Sequence, residues 1–294
     1  MRGIRRAGTL DVVKLLFVGA LWGASFILIA IALRSYGPVS VAAGRILLAT
    51  IVLASISVAM GYRFPATLKD WKKMSLIGVL NSALPFFLIS WGMQFISSAE
   101  SALLMASGTF GALILSHFVS PDERINLARG IGVSIGFGGV LVLVISELIQ
   151  TGMGSLAGQS AVIAAGLSYA SSSVLSRRIS HLSSLPAAAC ILATASAYMV
   201  PLALWWEQPL TFVTQGTSVA AMVVLGVMST ALAYVIRLNI IKTNGAVFMA
   251  QVGYLVPLFG VIWSWIFLTE SISLNTLAAL VTILIGIAVT RIGT

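Results

Sequence analysis

The stretch Met249–Glu270, MAQVGYLVPLFGVIWSWIFLTE, decides how the rest of the chain is read. It is long and apolar, is interrupted by Gln251, Gly253, Tyr254 and Pro257, and closes on a lone carboxylate, Glu270. A soluble core helix needs no such length, and a helix that only anchors in lipid needs no Gln-x-Gly-Tyr-x-x-Pro interruption. A second run, Met105–Glu123, holds the corresponding place in the first half of the chain. The sequence therefore reads as two versions of one membrane unit, with the two runs helping to wall a solute path between them.

Composition supports a lipid-solvated chain. Of the 294 residues, 59% are hydrophobic and only 9% charged, and mean hydropathy is +1.05, whereas globular proteins carry about 25% charged residues. The net charge of +9 does not indicate a nucleic-acid partner, because the basic residues lie singly or in small groups between apolar runs. Cys190 is the one cysteine, which excludes an internal disulfide. At the N-terminus, Arg2, Arg5 and Arg6 precede an apolar run from Val12 to Leu33. That run has the roughly 20 residues of a membrane span and exceeds the roughly 7–15 of a signal-peptide core. It is read as a retained first span.

Apolar stretches of this length recur at 12–33, 39–60, 73–93, 98–118, 127–146, 159–178, 185–206, 217–239, 244–268 and 274–291. The expected fold is an all-α integral membrane protein of ten transmembrane helices, since barrel strands would be shorter and alternate in polarity. Lysines and arginines fall almost wholly on one side of this arrangement, with Arg34 alone on the other and Arg45 inside the second span. The positive-inside rule then places both termini in the cytoplasm.

The chain also repeats itself. At a shift of 147, Gly19, Trp22 and Gly23 fall on Gly166, Tyr169 and Ala170, Glu123 on Glu270 and Gly139 on Gly286. At a shift of 148, Gly78-Val-Leu-Asn81-Ser82-Ala83-Leu84 falls on Gly226-Val-Met-Ser229-Thr230-Ala231-Leu232. Two five-helix repeats are expected, residues 1–146 and 159–294, joined by a polar, Gly-rich linker over 147–158. With an odd number of spans each, the repeats enter the membrane in opposite orientations. Such inverted repeats are characteristic of secondary transporters, whose sites lie near mid-membrane between them.

The inventory for catalysis is poor. Two histidines form no His-x-x-x-His pattern, and Gly-x-Ser-x-Gly and P-loop motifs are absent, so an enzyme, a metal site, a resident cofactor and direct use of ATP are not expected. The carboxylates have structural placements: Glu100 completes a Ser97-x-x-Glu100 capping box, and Glu123 and Glu270 close equivalent helices. Arg45 either snorkels to the interface or meets a carboxylate on a solute. Asn81 and Ser82 precede Pro85, and Ser229, Thr230 and Tyr234 occupy the matching stretch. Pro85, and Gly253 with Pro257, are expected helix bends. Arg45, Asn81, Ser82, Thr230 and Tyr234, together with Trp22, Ser107, Tyr169, Gln251 and Tyr254, form the candidate substrate-binding set. For any one of them interhelical packing, worth about 0.6 kcal/mol per hydrogen bond, is the competing role. Gly132, Gly136, Ala278, Thr282 and Gly286 form small-residue stripes for close helix contact, and Trp71, Trp205, Trp206, Trp263 and Trp265 suit interfacial anchoring.

Leu21-Trp22-Gly23-x-x-Phe26, Pro38 with Arg45, Gly253-Tyr254-Leu255-Val256-Pro257, and Leu268-Thr269-Glu270 followed by Gly286 resemble the drug/metabolite transporter superfamily in its EamA-type branch. The resemblance spans about residues 10 to 291. The first repeat departs from it: Phe110 stands where Pro257 stands, and Pro121-Asp122-Glu123 replaces Gly-Glu. The resemblance implies export of small metabolites across the bacterial inner membrane, with amino acids, including aromatic ones, as expected substrates; a monomer is the expected state. A multidrug or cationic-compound exporter is the alternative, and a non-transporting membrane scaffold the third reading.

Overall fold

Lipid offers no water to peptide groups, so each must find its partner inside the fold, and a helix does this within one segment. The computed structural model describes residues 7–119, 125–151, 153–209 and 215–292, whose regular elements are all helical. Arg2, Arg5, Arg6, Pro121, Asp122, Glu123 and Arg124 lie outside the described residues.

The first half runs α1 (Thr9–Ala32), α2 (Pro38–Ala59), α3 (Leu68–Gly78), α4 (Leu84–Gly92), α5 (Ser98–Leu104), α6 (Ser107–Val119) and α7 (Leu127–Thr151). The second runs α8 (Met153–Ser176), α9 (Ser184–Trp206), α10 (Gly216–Gly226), α11 (Ala233–Asn244), α12 (Ala246–Met249), α13 (Val252–Leu268) and α14 (Leu274–Ile292). The element order of one half is thus the order of the other. Residues 147–151 continue α7 and 153–158 open α8, so the Gly-rich stretch is helical on both sides of Gly152. Helix starts follow local chemistry. Pro38 takes the first position of α2, where its missing N–H is no loss. Thr67 caps α3 through Asp70 N, and Ser97 with Glu100 forms a capping box on α5.

Seven described helices are long and apolar enough to cross a membrane: Thr9–Ala32, Pro38–Ala59, Leu68–Gly92, Ser98–Phe118, Leu127–Ile149, Ser184–Trp206 and Gly216–Asn244. Val252–Leu268 and Leu274–Thr290 are apolar but shorter. α8 matches the first group in length but is rich in serine and falls outside it.

Two pairs of rods are irregular, at matching places. α3 joins α4 through a π turn at Val79–Ala83, and α10 joins α11 through one at Val227–Leu232. α5 and α6 are separated by a turn at Met105–Ala106, and α12 and α13 by one at Ala250–Gln251. The second break falls just ahead of Gly253, and Pro257 is buried inside α13.

The halves interdigitate rather than sit side by side. α1 lies along α13, α8 along α6, α2 along α9 and α7 along α14. Glycines permit these approaches. A Cβ on Gly23 would stand 2.8 Å from Gly260 N, and one on Gly108 2.7 Å from Gly166 O. Between α7 and α14, Gly132 and Gly136 meet Gly286 and Thr290, and Gly139 meets Ile283. Phe110 fills the space over Gly136 and is fully buried, its ring tilted against that of Phe137 at 5.7 Å between centroids.

A Cβ at Gly286 would lie 2.5 Å from Gly136 N, against backbone that cannot move aside. Gly286→Ala is expected to cost about 1–3 kcal/mol of overpacking and to lower the thermal midpoint in detergent. Gly138→Ala, at a position that opens to empty space, should leave that midpoint unchanged.

Candidate functional site

The site begins with a backbone carbonyl. In a π turn each N–H bonds the carbonyl five residues back, as Leu84 N does to Val79 O. The next donor in that series would be residue 85, which is proline and has no N–H. Leu80 O is thereby left without its helical partner, and Ser168 Oγ of α8 donates to it at 2.7 Å. Ser172, one turn along α8, donates to Asn81 Oδ1 at 3.1 Å. In the second π turn Thr230 Oγ1 donates to Leu225 O at 2.8 Å. Each π turn follows a glycine seated on the second long helix of the other half: Gly78 against Ile191 and Thr194 of α9, Gly226 against Arg45 and Leu48 of α2.

Arg45 crosses this interface. It is 6% exposed, which excludes snorkelling to water. Its Nε donates to Thr230 Oγ1 at 2.7 Å, and its Cζ lies 3.9 Å from the centroid of the Phe86 ring. Tyr169 meets Phe86 edge-on, with centroids 6.3 Å apart. Among the described residues no carboxylate forms an ion pair with Arg45; the ion pairs there join Asp70 to Lys73 and to His181. A buried charge without a counter-ion costs several kcal/mol, and cation–π and hydroxyl contacts offset part of that. Ser82 and Ser229 are also buried, the latter with an unpartnered hydroxyl.

Of the ten residues expected to bind solute, Arg45, Asn81, Ser82, Tyr169 and Thr230 lie on these two π turns and the helices facing them, and Tyr234 packs on the same apolar cluster. The others lie elsewhere. Trp22 packs against a separate cluster with Leu15, Ala233 and Met249. Gln251 is exposed, and Tyr254 donates its hydroxyl to Ile287 O of α14 at 3.0 Å. Ser107 is fully buried against Gly166, its hydroxyl unpartnered. Phe86, Ser168 and Ser172 were not expected. Phe86 follows Pro85 directly, and the serines recur at i and i+4 on α8, so a π turn with a starved carbonyl is the signal that leads to them. Trp263, expected as an anchor, instead donates Nε1–H to Ala20 O of α1 at 3.1 Å.

One end of the molecule is held by two carboxylates. Glu207, closing α9, accepts from Val39 N at 2.9 Å and Ser40 N at 2.7 Å, the first amides of α2. Glu270, following α13, accepts from Ser98 N at 3.0 Å and Ala99 N at 3.1 Å, the first amides of α5. Both carboxylates sit where helix dipoles favour negative charge, and each ties one half to the other.

Two interlocked helical halves, spanning lengths of apolar helix and a charged residue enclosed between the halves define a multi-pass membrane protein of transporter type. The EamA-like transporter family matches residues 11–145 and again 156–292; the chain belongs to this family, within the drug/metabolite transporter superfamily. It is 20% identical over 271 residues to the uncharacterized transporter YoaV of Bacillus subtilis (strain 168), covering 92% of each chain. An uncharacterized transporter of Archaeoglobus fulgidus is 24% identical over 255 residues, covering 85% of this chain and 86% of its own. A solved crystal structure superposes with a TM-score of 0.70 at 20% identity, covering 97% of this chain and 98% of that one, and so shares the fold.

Thr230→Val should remove the acceptor of Arg45 Nε and the donor to Leu225 O together. Unfolding in detergent is expected to show a loss of about 2–6 kcal/mol, two buried polar groups each costing roughly 1–3. Gln251→Ala, on an exposed side chain, should change the same measurement by less than about 0.5 kcal/mol.

Proposed function

We propose that the protein is a secondary exporter of small metabolites, amino acids foremost, in the bacterial inner membrane. On this reading ten spans form two inverted five-helix repeats, residues 1–146 and 159–294 joined through 147–158, with both termini cytoplasmic, and a monomer transports by alternating access. The observation that carries it is Arg45. An enclosed guanidinium with no carboxylate partner among the described residues is costly enough to indicate a function, and an incoming carboxylate is the ligand that completes it. Phe86 and Tyr169 beside it suit the apolar or aromatic part of a zwitterion. The multidrug or cationic reading is disfavoured by the same residue, since a fixed positive centre repels a cation. Arg45 contacts Thr230 directly, so this is the closed arrangement, and solute entry would part α2 from the second π turn.

With cytoplasmic termini, Glu207 and Glu270 face the periplasm, where they would hold the exit shut. Flux of a labelled amino-acid panel into proteoliposomes tests the substrate class, and transport indistinguishable from empty liposomes across the panel sinks it. Arg45→Met should abolish flux of carboxylate solutes. In a Cys190→Ala background, Ser40→Cys removes no hydrogen bond, as the Ser40 hydroxyl is unpartnered. Adding Glu207→Gln is then expected to raise its labelling by an impermeant maleimide from the periplasmic side several-fold.

A further inference from the structure

Among the carboxylates buried outside the site above, Glu100 keeps an oxygen without a partner. Glu100 is 6% exposed; its Oε2 accepts from Ser97 N at 2.8 Å in the capping box, while its Oε1 has no hydrogen-bond partner. Beside it stands Gln159 of α8, fully buried, with neither its amide oxygen nor its amide nitrogen partnered. A capping box needs one carboxylate oxygen and no glutamine, so this second set of polar atoms is unaccounted for by helix capping.

The other half of the chain supplies a comparison. At a shift of 148 Gln159 corresponds to Asp11, and at 147 Ser97 corresponds to Asn244. There the carboxylate and the amide are joined: Asn244 Nδ2 donates to Asp11 Oδ2 at 3.2 Å, and Gly8 N donates to the same oxygen at 3.0 Å. A carboxylate and an amide thus meet at one end of the molecule, whereas the pair at the other end is not a copy of it in kind: Gln159 stands where Asp11 stands, and Glu100 stands where Val247 stands.

We infer that Glu100 is a proton-binding site, the proton passing between water and Oε1, with Gln159 as the group that accommodates both forms. The ionised carboxylate accepts from Gln159 Nε2; the protonated acid donates its new O–H to Gln159 Oε1 after the amide turns over. Only an O–H bond forms or breaks, and in each state Glu100 Oε1 has a partner on Gln159. The elements packed on α5 are α1, α7, α8, α13 and α14. They bring Glu147 from α7 and, from the end of α13, Glu270, whose carboxylate holds the amides of Ser98 and Ala99. Asp11 and Lys14 of α1, Arg129 of α7 and Arg291 of α14 are at the far ends of those helices, and Tyr254 of α13 is turned to α14. No cation among these competes with the proton. The arrangement also reaches the solute site, because α8 carries Gln159 at one end and Ser168, Tyr169 and Ser172 further along. Proton binding at Glu100 is therefore coupled to solute export, a link that rests on the transport reading above.

Infrared difference spectra of the purified protein, recorded on stepping the pH down, test the site without any solute. A protonated-carboxyl band is expected in the wild type, absent in Glu100→Gln and retained in Glu147→Gln and Glu270→Gln. Glutamine at position 100 keeps the cap, so the variant folds. Persistence of the band in Glu100→Gln, or its loss in either other variant instead, overturns the assignment. In proteoliposomes an imposed pH gradient should change wild-type flux several-fold and leave Glu100→Gln flux unchanged while solute counterflow continues; equal gradient sensitivity of the two removes the coupling. A wild type that moves no solute but shows the band refutes the transport reading and leaves the proton site standing.

Discussion

Every peptide group in this protein that lies at membrane depth has to be satisfied without bulk water, and the architecture is arranged around that constraint. Unbroken helices meet it cheaply. Where the helices are irregular at the two π turns, side-chain hydroxyls serve the backbone carbonyls instead. Pro85 cannot serve the Leu80 carbonyl, and Ser168 does so across the interface. Thr230 serves Leu225 within its own rod and at the same time holds Arg45 of α2. The irregular turns are thus points at which one half depends chemically on the other.

Glycine makes that dependence possible. Gly23 on α1 and Gly260 on α13, Gly108 on α6 and Gly166 on α8, and Gly136 on α7 and Gly286 on α14 bring backbones together at distances a side chain would prevent. Association inside lipid is driven by packing rather than by a difference in hydrophobicity, so close backbone approach between the halves contributes more than it would in a soluble core. The two carboxylates at one end, Glu207 and Glu270, act through a different force, holding helix N-termini that belong to the other half. An interface that combines rigid glycine contacts with a few titratable or exchangeable polar ones is suited to having more than one arrangement.

Much of the candidate site is legible by position and little of it by direction. Asn81 and Ser82 were singled out because they precede Pro85, and Thr230 because it repeats them 148 residues later; all three lie at π turns. Trp22, Gln251 and Tyr254 stand out in the sequence on equally plain grounds, as polar or aromatic interruptions of apolar runs. They point elsewhere, Tyr254 toward Ile287 O and Gln251 outward. A polar residue in a membrane helix can face any of several neighbouring helices, and its period along the helix does not say which. Phe86 escaped notice because an aromatic after proline looks like ordinary packing until a guanidinium is found on its face.

The sequence by itself determined the lipid-solvated helical class, the twofold repetition and the places where helices are interrupted, because composition, period and proline act locally along the chain. Its reading of Met249–Glu270 as an interrupted run holds, with the interruption at Ala250–Gln251 and Glu270 acting as a cap on another helix. Only the tertiary structure decided which carbonyl Pro85 leaves open, that Ser168 fills it, that Arg45 is enclosed, and that Asp11 finds its amide while Glu100 does not. Each of those depends on the rotation of one helix about its axis relative to its neighbour. That rotation is set by glycine contacts between distant parts of the chain, which leave no periodic trace in either segment alone.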